Sequence, residues 1–508
     1  MVSTLYSMGI NGVEAFLVKI ESDISKGMPT CDIVGLPDSS VKESKNRVRA
    51  AMKNCGFKFP IARITINLAP ADIKKSGSLY DLPIFMSILR ASNQISKELD
   101  SSIFIGELSL KGDICAVSGV LPMTLKAKKL GFKNIFVPFQ NAEEASIIKG
   151  INVYAVKNIS ELTSYLNNDS ELKAHPPTII IKKPENEILD FSQVKGQPEV
   201  KRALEIAAAG GHNVLMIGPP GSGKSMMAKR ILSILPEMTF KEMLETTIIY
   251  SACGMLKNGE ALVTKRPFRD PHYTISTAGL CGGGNPPHPG EITFAHNGIL
   301  FLDELSEFSR HTLETLRQPL EDDNITISRS QSTITFPSSF MFIAAMNPCP
   351  CGYYGHPSVP CTCSALQIEK YISKISGPIL DRIDIHIEVP SVKFEDLSSN
   401  DINETSKEIN KRVNKARSIQ IERYKNYNIF SNVKLPSHLI EKSCKLTPNA
   451  EKVLKNAFNS LSLSARAYNK VLKVARTIAD LEEKEIIDIN HISEAIQYRS
   501  LDRKFLFH

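Results

Sequence analysis

The chain has 508 residues, enough for two to four domains, and its 42% hydrophobic and 23% charged residues are ordinary values for a globular protein. A formal net charge of +7 permits a polyanionic partner without requiring one. The sequence contains no run of about 18 apolar residues, the N-terminal residues lack a secretory pattern, and the ten cysteines cluster in one place only. We therefore expect a cytoplasmic protein with no membrane partner.

Residues 1–165 alternate short strand-like and helix-like segments, which predicts an independent α/β domain. Strand patterns occur at 16–20, 31–36, 63–68, 103–108 and 135–138. Helical patterns cover 42–54, 82–91 and 122–130. A polar, proline-punctuated stretch over 166–189 then indicates a linker.

An apolar run at 214–217 leads into a phosphate-binding loop of the form G-x-x-x-x-G-K-[ST], and a helical pattern follows it. The loop comprises Gly218, Pro219, Pro220, Gly221, Ser222, Gly223, Lys224 and Ser225. Its glycines let backbone N–H groups face the phosphates, Lys224 reaches the β- and γ-phosphates, and the Ser225 hydroxyl ligates Mg²⁺. This loop predicts binding of ATP with Mg²⁺.

A second apolar strand pattern, 299–302, ends in two acids. Asp303 is predicted to hold the Mg²⁺ shell and Glu304 to polarise the attacking water, although a solvated strand end is the simpler alternative. Together with the phosphate-binding loop, this pair predicts ATP hydrolysis.

Residues 266–273 and 282–290 are rich in glycine and proline and are predicted to be loops, either connectors or functional segments. A helix is predicted over 310–320. Residues 325–336 then alternate with period two on both sides of 329–331, which predicts a β-hairpin with Arg329 at its basic tip. An arginine at such a tip can contact DNA or simply be solvated.

Two C-x-C pairs follow a predicted strand over 340–346 that ends at Asn347. Cys349, Cys351, Cys361 and Cys363 can bring four thiolates around one tetrahedral Zn²⁺. A redox loop and four unliganded thiols remain as alternatives.

A further strand pattern at 385–389 is preceded by Arg382, which lies between Asp381 and Asp384 and could pair with either acid. Residues 396–508 are predicted to be helical, with helices at 404–423, 449–461, 464–481 and 490–499. Arg466 lies at the start of the third of these helices.

The segments 33–38, 67–72, 106–110 and 474–481, together with the ordered motifs of the ATPase part, resemble the YifB/ComM family of magnesium-chelatase-like AAA+ ATPases. The resemblance implies an α/β fold with three parts: a Lon-protease-like (ribosomal S5 domain 2-like) domain over 1–165, an AAA+ core over 190–395 and a helical lid over 396–508. Leu79 and Leu121 stand where the Lon-like alignment requires a catalytic serine and lysine. The first domain is therefore expected to be non-proteolytic.

The same resemblance implies roles for single residues. Asn347 corresponds to the first sensor that orients the lytic water, Arg466 to a second sensor that touches the γ-phosphate, and Arg382 to a finger that completes a neighbouring subunit's site. It also implies that Arg329 faces DNA in the channel of a ring. We expect a homo-oligomer, most simply a hexamer.

Two functions follow from these expectations. The first is an ATP-driven motor on branched or single-stranded DNA that performs branch migration during recombination and natural transformation. The alternative is a chelatase-like or chaperone-like ATPase that remodels a protein partner. Stimulation of ATP hydrolysis by nucleic acid separates the two.

Overall fold

The computed structural model describes residues 2–499 except 96, 98, 180–188, 258–259, 330–331, 393–402, 428 and 462–463. The predicted linker and the start of the predicted lid thus lie partly outside the described residues. The chain divides into two compact units, residues 1–182 with 240–264 and residues 183–239 with 265–508. Within the described part, no helix has the length and apolar character to cross a membrane.

The first unit is built on a mixed seven-stranded sheet. In sheet order the strands are Thr30–Val34, Arg63–Ala69, Glu14–Ser25, Val2–Asn11, Ser102–Phe104, Asn134–Pro138 and Asn152–Val156. Alternation with period two positions one face of each strand toward the core, as in Arg63–Ala69, where Ile64, Ile66 and Leu68 are fully buried. The helices are Ser39–Asn54, Asp81–Ala91, Val120–Lys129, Ala142–Ala145, Ile159–Leu166 and Phe240–Ala252, and a short ribbon pairs Glu107–Leu108 with Ile114–Cys115.

The helix Phe240–Ala252 belongs to this first unit, although the predicted boundaries assign it to the ATPase core. It packs against the helix Val120–Lys129. The hydroxyl of Ser251 bonds to the carboxylate of Glu144, which also accepts from the backbone N–H of Leu121 at 3.0 Å. Burial raises the pKa of Glu144. Contacts that are distant in sequence therefore decide where this helix lies.

The second unit contains a five-stranded sheet in which every described pair is parallel. Its strands, in sheet order, are Phe268–Arg269, Ile299–Leu302, Met341–Met346, Val214–Ile217 and Ile385–Glu388. The three central strands are completely buried, which explains their continuous apolar sequences. Because the strands are parallel, their carboxyl ends share one edge of the sheet and their amino ends share the other.

Helices cover the sheet and extend the core into the C-terminal part. They are Pro198–Gly210, Lys224–Arg230, Thr277–Cys281, Glu291–Phe294, Arg310–Glu314, Arg317–Asp322, Ala365–Ile372, Gly377–Leu380, Ser406–Tyr424, Ser437–Ser443, Pro448–Leu461, Ala465–Leu481 and Ile489–Gln497. The helices Ser406–Tyr424 and Ala465–Leu481 both pack on Pro198–Gly210. The sheet and the C-terminal helices consequently share one hydrophobic core.

The predicted hairpin is confirmed, because Asn324–Arg329 pairs antiparallel with Ser332–Pro337. The predicted helix over 310–320 is instead two short helices, Arg310–Glu314 and Arg317–Asp322. Pro319 explains the break: it has no N–H to donate, and its ring collides with the carbonyl four residues earlier, at Thr315.

Candidate nucleotide-binding site

The phosphate-binding loop joins the buried strand Val214–Ile217 to the helix Lys224–Arg230 at the carboxyl edge of the sheet. Gly221 and Gly223 have φ values of 76° and 87°, which side chains other than glycine rarely adopt. At Gly218 a Cβ atom would lie 2.2 Å from the carbonyl oxygen of Val389, so only glycine fits. These constraints explain the glycines of the motif.

The Lys224 side chain is held inside this loop. Its Nζ donates to the carbonyl oxygens of Gly218 and Pro219, each at 2.8 Å, and to Oδ1 of Asn347 at 3.2 Å. Burial lowers the pKa of Lys224, while the charges of Asp303 and Glu304 oppose that shift. The structure therefore brings the predicted phosphate-binding lysine and the predicted sensor asparagine together.

The predicted Mg²⁺ ligands also meet at this edge. The hydroxyl of Ser225 bonds to the carboxylate of Asp303, and both are oxygen donors of the type that Mg²⁺ prefers. These residues therefore fit a magnesium ion beside the phosphates.

Glu304 is exposed next to that pair and has a φ of 52°, in the left-handed region. Its backbone N–H donates to Oδ1 of Asp303 at 2.9 Å. Such strain in a residue other than glycine is typical of functional sites. In this turn the carboxylate of Asp303 faces Ser225, whereas the side chain of Glu304 is exposed to solvent.

Gln197 is a contact that the sequence motif did not single out. Its side-chain amide donates to the carbonyl oxygens of Ser222 at 3.1 Å and Pro390 at 2.7 Å. Gln197 thus links the phosphate-binding loop to the segment that follows the last strand of the sheet. Its left-handed backbone, with a φ of 56°, cannot be read from the sequence.

Arg382 lies at the opposite edge of the sheet. It precedes the strand Ile385–Glu388, which runs parallel to Val214–Ile217, and its carbonyl oxygen accepts from the Asn213 side chain at 2.9 Å. The four residues of Val214–Ile217 span about 10 Å. Arg382 is therefore separated from the phosphate-binding loop of its own subunit by at least the length of this strand.

The ion pair of Arg382 is with Glu321, at 2.7 Å, and not with Asp381 or Asp384, the alternative that the sequence left open. Arg466 approaches the same Glu321 at 3.5 Å. The structure therefore brings both predicted γ-phosphate arginines together, at the edge away from Lys224 and Asn347. Glu321 could not be found from local sequence, because it lies far along the chain from both arginines.

Arg329 is exposed at the end of its strand, and the next two residues of the predicted tip lie outside the described residues. A Cβ atom on Gly283 would lie 3.6 Å from Nη2 of Arg329. Gly283 belongs to a short ladder in which Gly282–Gly283 pairs with His288–Pro289. The hairpin and one of the glycine-rich loops are therefore neighbours.

The four predicted zinc ligands converge. Their sulfur atoms all lie within 4.8 Å of one another, and the Cys349 sulfur is 3.3 Å from that of Cys351 and 3.7 Å from that of Cys361. Backbone N–H groups of Tyr353 and Thr362 lower the pKa of Cys351 to about 5, which favours a thiolate. Four convergent sulfur donors fit a tetrahedral Zn²⁺.

Comparisons with protein families match most of the chain. The description "Magnesium chelatase, subunit ChlI" matches residues 190–397, "Subunit ChlI of Mg-chelatase" matches 20–141, and "Magnesium chelatase, subunit ChlI C-terminal" matches 403–499.

Individual proteins match over nearly the full length. The competence protein ComM of Haemophilus influenzae is 44% identical over 506 residues, covering 98% of this chain and 97% of that protein. Protein YifB of Escherichia coli is 41% identical, with 99% and 97% covered. The magnesium-chelatase subunit ChlI of Olisthodiscus luteus is 26% identical over 192 residues, covering 35% of this chain and 53% of that protein.

Proposed function

Because the chain belongs to the YifB/ComM family of magnesium-chelatase-like AAA+ ATPases, we propose that it is an ATP-driven ring motor that moves branched DNA. One observation carries this proposal: the hydrolytic residues meet at one edge of the sheet, whereas Arg382 and Arg466 meet at the other. A complete site of this kind needs two subunits.

Each hydrolytic residue has a task that its contacts support. Lys224 exchanges its loop carbonyls for the β- and γ-phosphates, and Ser225 and Asp303 would hold Mg²⁺, which would supply positive charge to the phosphates. Glu304 polarises the water whose oxygen attacks the γ-phosphorus, and Asn347 orients that water. The bond between the γ-phosphorus and the bridging oxygen breaks as the new P–O bond forms, and that oxygen leaves with ADP.

Assembly follows from the location of the arginines. A neighbouring subunit's Arg382 and Arg466 reach the γ-phosphate and stabilise the charge that develops on its oxygens. Hydrolysis then depends on ring closure, for which a hexamer is the proposed form.

Three features support DNA as the substrate. Arg329 is exposed beside Gly283, the net charge is +7, and a relative identical at 44% of positions carries the name competence protein. Phosphate contacts from arginine position a protein on DNA without reading its sequence, as a translocating motor requires. Branch migration is the proposed activity, and a cytoplasmic location agrees with ten cysteines that form no disulfide.

The remaining assignments belong to the same proposal. The four-cysteine cluster holds Zn²⁺, and residues 1–165 form a Lon-like domain without protease activity. Leu121 is fully buried, and the hydroxyl of Ser78 bonds to Glu107 instead of a lysine, which supports the lack of a serine–lysine pair.

Remodelling of a protein partner is the second candidate, favoured by the matches of all three parts of the chain to magnesium-chelatase subunit ChlI. The ATPase rate separates the two candidates when measured without DNA and with single strands, plain duplex or a four-way junction at one fixed salt concentration. The DNA motor predicts the strongest stimulation by the junction. If the rate with every DNA equals the rate without DNA, the result would contradict the DNA motor and favour the protein partner.

A further inference from the structure

The two arginines at the amino edge share one carboxylate. Oε2 of Glu321 pairs with Nη2 of Arg382 at 2.7 Å, and Oε1 pairs with Nη2 of Arg466 at 3.5 Å. Glu321 lies in the helix Arg317–Asp322, Arg382 just before the last strand of the sheet, and Arg466 at the start of the helix Ala465–Leu481. One side chain therefore connects three separate elements.

The backbone of Arg382 is fixed independently of Glu321. Asn213 donates to the Arg382 carbonyl oxygen at 2.9 Å, and Lys470 and Arg499 donate to that of Ile383 at 3.1 and 2.8 Å. The direction of the guanidinium group is set by two further contacts, one with the carbonyl oxygen of Pro378, which accepts from Nη1, and one with Glu321.

The charges of the two arginines explain why their guanidinium groups need a carboxylate between them. Two guanidinium groups are both permanently positive and repel each other at short range. The hydrogen bond from Arg382, helped by the charges of Arg466 and Arg317, lowers the pKa of Glu321, so its carboxylate is ionised and offsets this repulsion. Arg466, with a side chain 64% exposed, would otherwise extend into solvent.

The bridge leaves donors free for a second anion. A guanidinium has five N–H groups, and Arg382 uses Nη2 for Glu321 and Nη1 for the carbonyl oxygen of Pro378. Arg466 uses Nη2 for Glu321. The remaining Nη hydrogens of both side chains are therefore the donors left for a phosphate, since Nε of Arg382 is buried.

We propose that Glu321 is a positioning residue that bridges Arg382 and Arg466 into one anion-binding pair for the γ-phosphate held by a neighbouring subunit. This inference rests on the proposed function, since it requires that the arginines act between subunits. Glu321 itself does not touch the nucleotide.

The test uses the full-length variant Glu321→Gln, which keeps the size of the side chain and removes its charge. We expect kcat for ATP hydrolysis to fall about tenfold to a hundredfold because the arginines lose their alignment. KM for ATP should change less than about threefold, since the subunit's own nucleotide contacts are intact. Glu314→Gln, which removes the partner of Arg317 only, is the matched control and should retain the wild-type rate.

Mixing experiments separate positioning between subunits from damage within one subunit. Glu304→Gln subunits cannot hydrolyse their own ATP but carry intact arginines, so their neighbours' sites are complete. Mixing them with Glu321→Gln subunits should restore activity above that of either variant alone. Mixing them with Arg382→Ala subunits should do the same.

Each other outcome has a distinct meaning. A rate for Glu321→Gln at or above wild type would overturn the inference and leave the proposed function intact. Rescue of Arg382→Ala without rescue of Glu321→Gln would assign Glu321 a role inside its own subunit and also overturn the inference. Failure of Arg382→Ala to be rescued would contradict the action between subunits itself, and with it both proposals.

Discussion

Asp303 and Glu304 are adjacent carboxylates with different surroundings. The Asp303 side chain accepts from Ser225 and from the backbone N–H of Glu304, whereas Glu304 is exposed on a left-handed backbone. A carboxylate fixed by hydrogen bonds is suited to hold a cation, and an exposed one beside it is suited to polarise water. This difference supports the roles proposed for the two residues.

The variant Glu304→Gln should therefore bind ATP with an affinity close to that of the wild type but show no steady-state turnover. The amide keeps the side-chain size and cannot act as a base. Binding is measured with a fluorescent ATP analogue and turnover by phosphate release.

Glu307→Gln is the control for this measurement, because Glu307 is three residues away and pairs on the surface with Lys374 at 3.6 Å. It should retain wild-type turnover. Hydrolysis near the wild-type rate in Glu304→Gln would remove Glu304 as the catalytic residue.

At this scale the sequence predicted the residues whose spacing is fixed by local geometry. Lys224 and Ser225 follow from the loop motif, and Asp303 and Asn347 follow buried strands whose carboxyl ends share one edge. Glu321 was missed because its contacts with Arg382 and Arg466 join residues that are distant along the chain. Only the fold brings such residues together.

The cysteine loop is an element that contacts the nucleotide site. Gly352 directly follows the second cysteine, Cys351, with a φ of 86°, and a Cβ atom there would be 2.5 Å from Cδ of Pro220 in the phosphate-binding loop. The loop that joins the cysteines therefore packs directly on the loop expected to bind phosphates. A bound metal would stabilise both.

Protein purified without chelator should contain about one Zn²⁺ per chain, and replacing Cys349 and Cys351 together by serine should remove it. Loss of the metal should lower the midpoint temperature of thermal unfolding by roughly 5 °C or more, because each kcal/mol lost from the free energy of unfolding shifts this temperature by a few degrees. Metal analysis and thermal denaturation measure the two effects.

Cys31→Ser, on the edge strand of the first unit, is the control and should keep the metal. A wild-type protein that is stable without metal would disprove the site.

The hairpin gives a prediction for DNA binding. Replacing Arg329 by alanine should weaken DNA binding about equally for all DNA sequences. It should also reduce the slope of the logarithm of the binding constant against the logarithm of the salt concentration by about one, as expected for the loss of one phosphate contact. Affinities are measured by fluorescence anisotropy over a series of salt concentrations.

Arg329→Lys keeps the charge and should retain most of the affinity and the full salt slope. An unchanged affinity and slope in Arg329→Ala would show that this arginine is only solvated.

Elements were predictable where periodicity or chemistry is local. Alternation identified the hairpin, and apolar runs identified the strands of the parallel sheet. The predicted single helix over 310–320 was wrong, because Pro319 interrupts the backbone hydrogen bonding of a continuous helix. The sequence analysis made no prediction for the helix Phe240–Ala252, and its place in the first unit involves contacts remote in sequence, such as that of Ser251 with Glu144.

At the scale of the whole molecule, the two units are joined by three chain crossings, near residues 182, 239 and 264. The second crossing lies only a few residues after the helix Lys224–Arg230, which follows the phosphate-binding loop. The first unit is thus covalently tied to the nucleotide site at more than a single linker. The sequence predicted one linker because composition marks only the region around 166–189.

Under the proposed function, the location of the arginines would make an assembled ring the functional unit. A subunit places its hydrolytic groups at one edge of its sheet and its arginines at the other. Hydrolysis at one interface can then be communicated to the next, which a motor that advances along DNA requires.

The most direct measurement of the central claim is ATP-dependent conversion of a synthetic four-way DNA junction into its two duplex products. A DNA motor of this kind should convert the junction when ATP and Mg²⁺ are present, and the Glu304→Gln variant should bind the junction without converting it. Hydrolysis of ATP by the wild type with no conversion of the junction would contradict the proposed DNA motor.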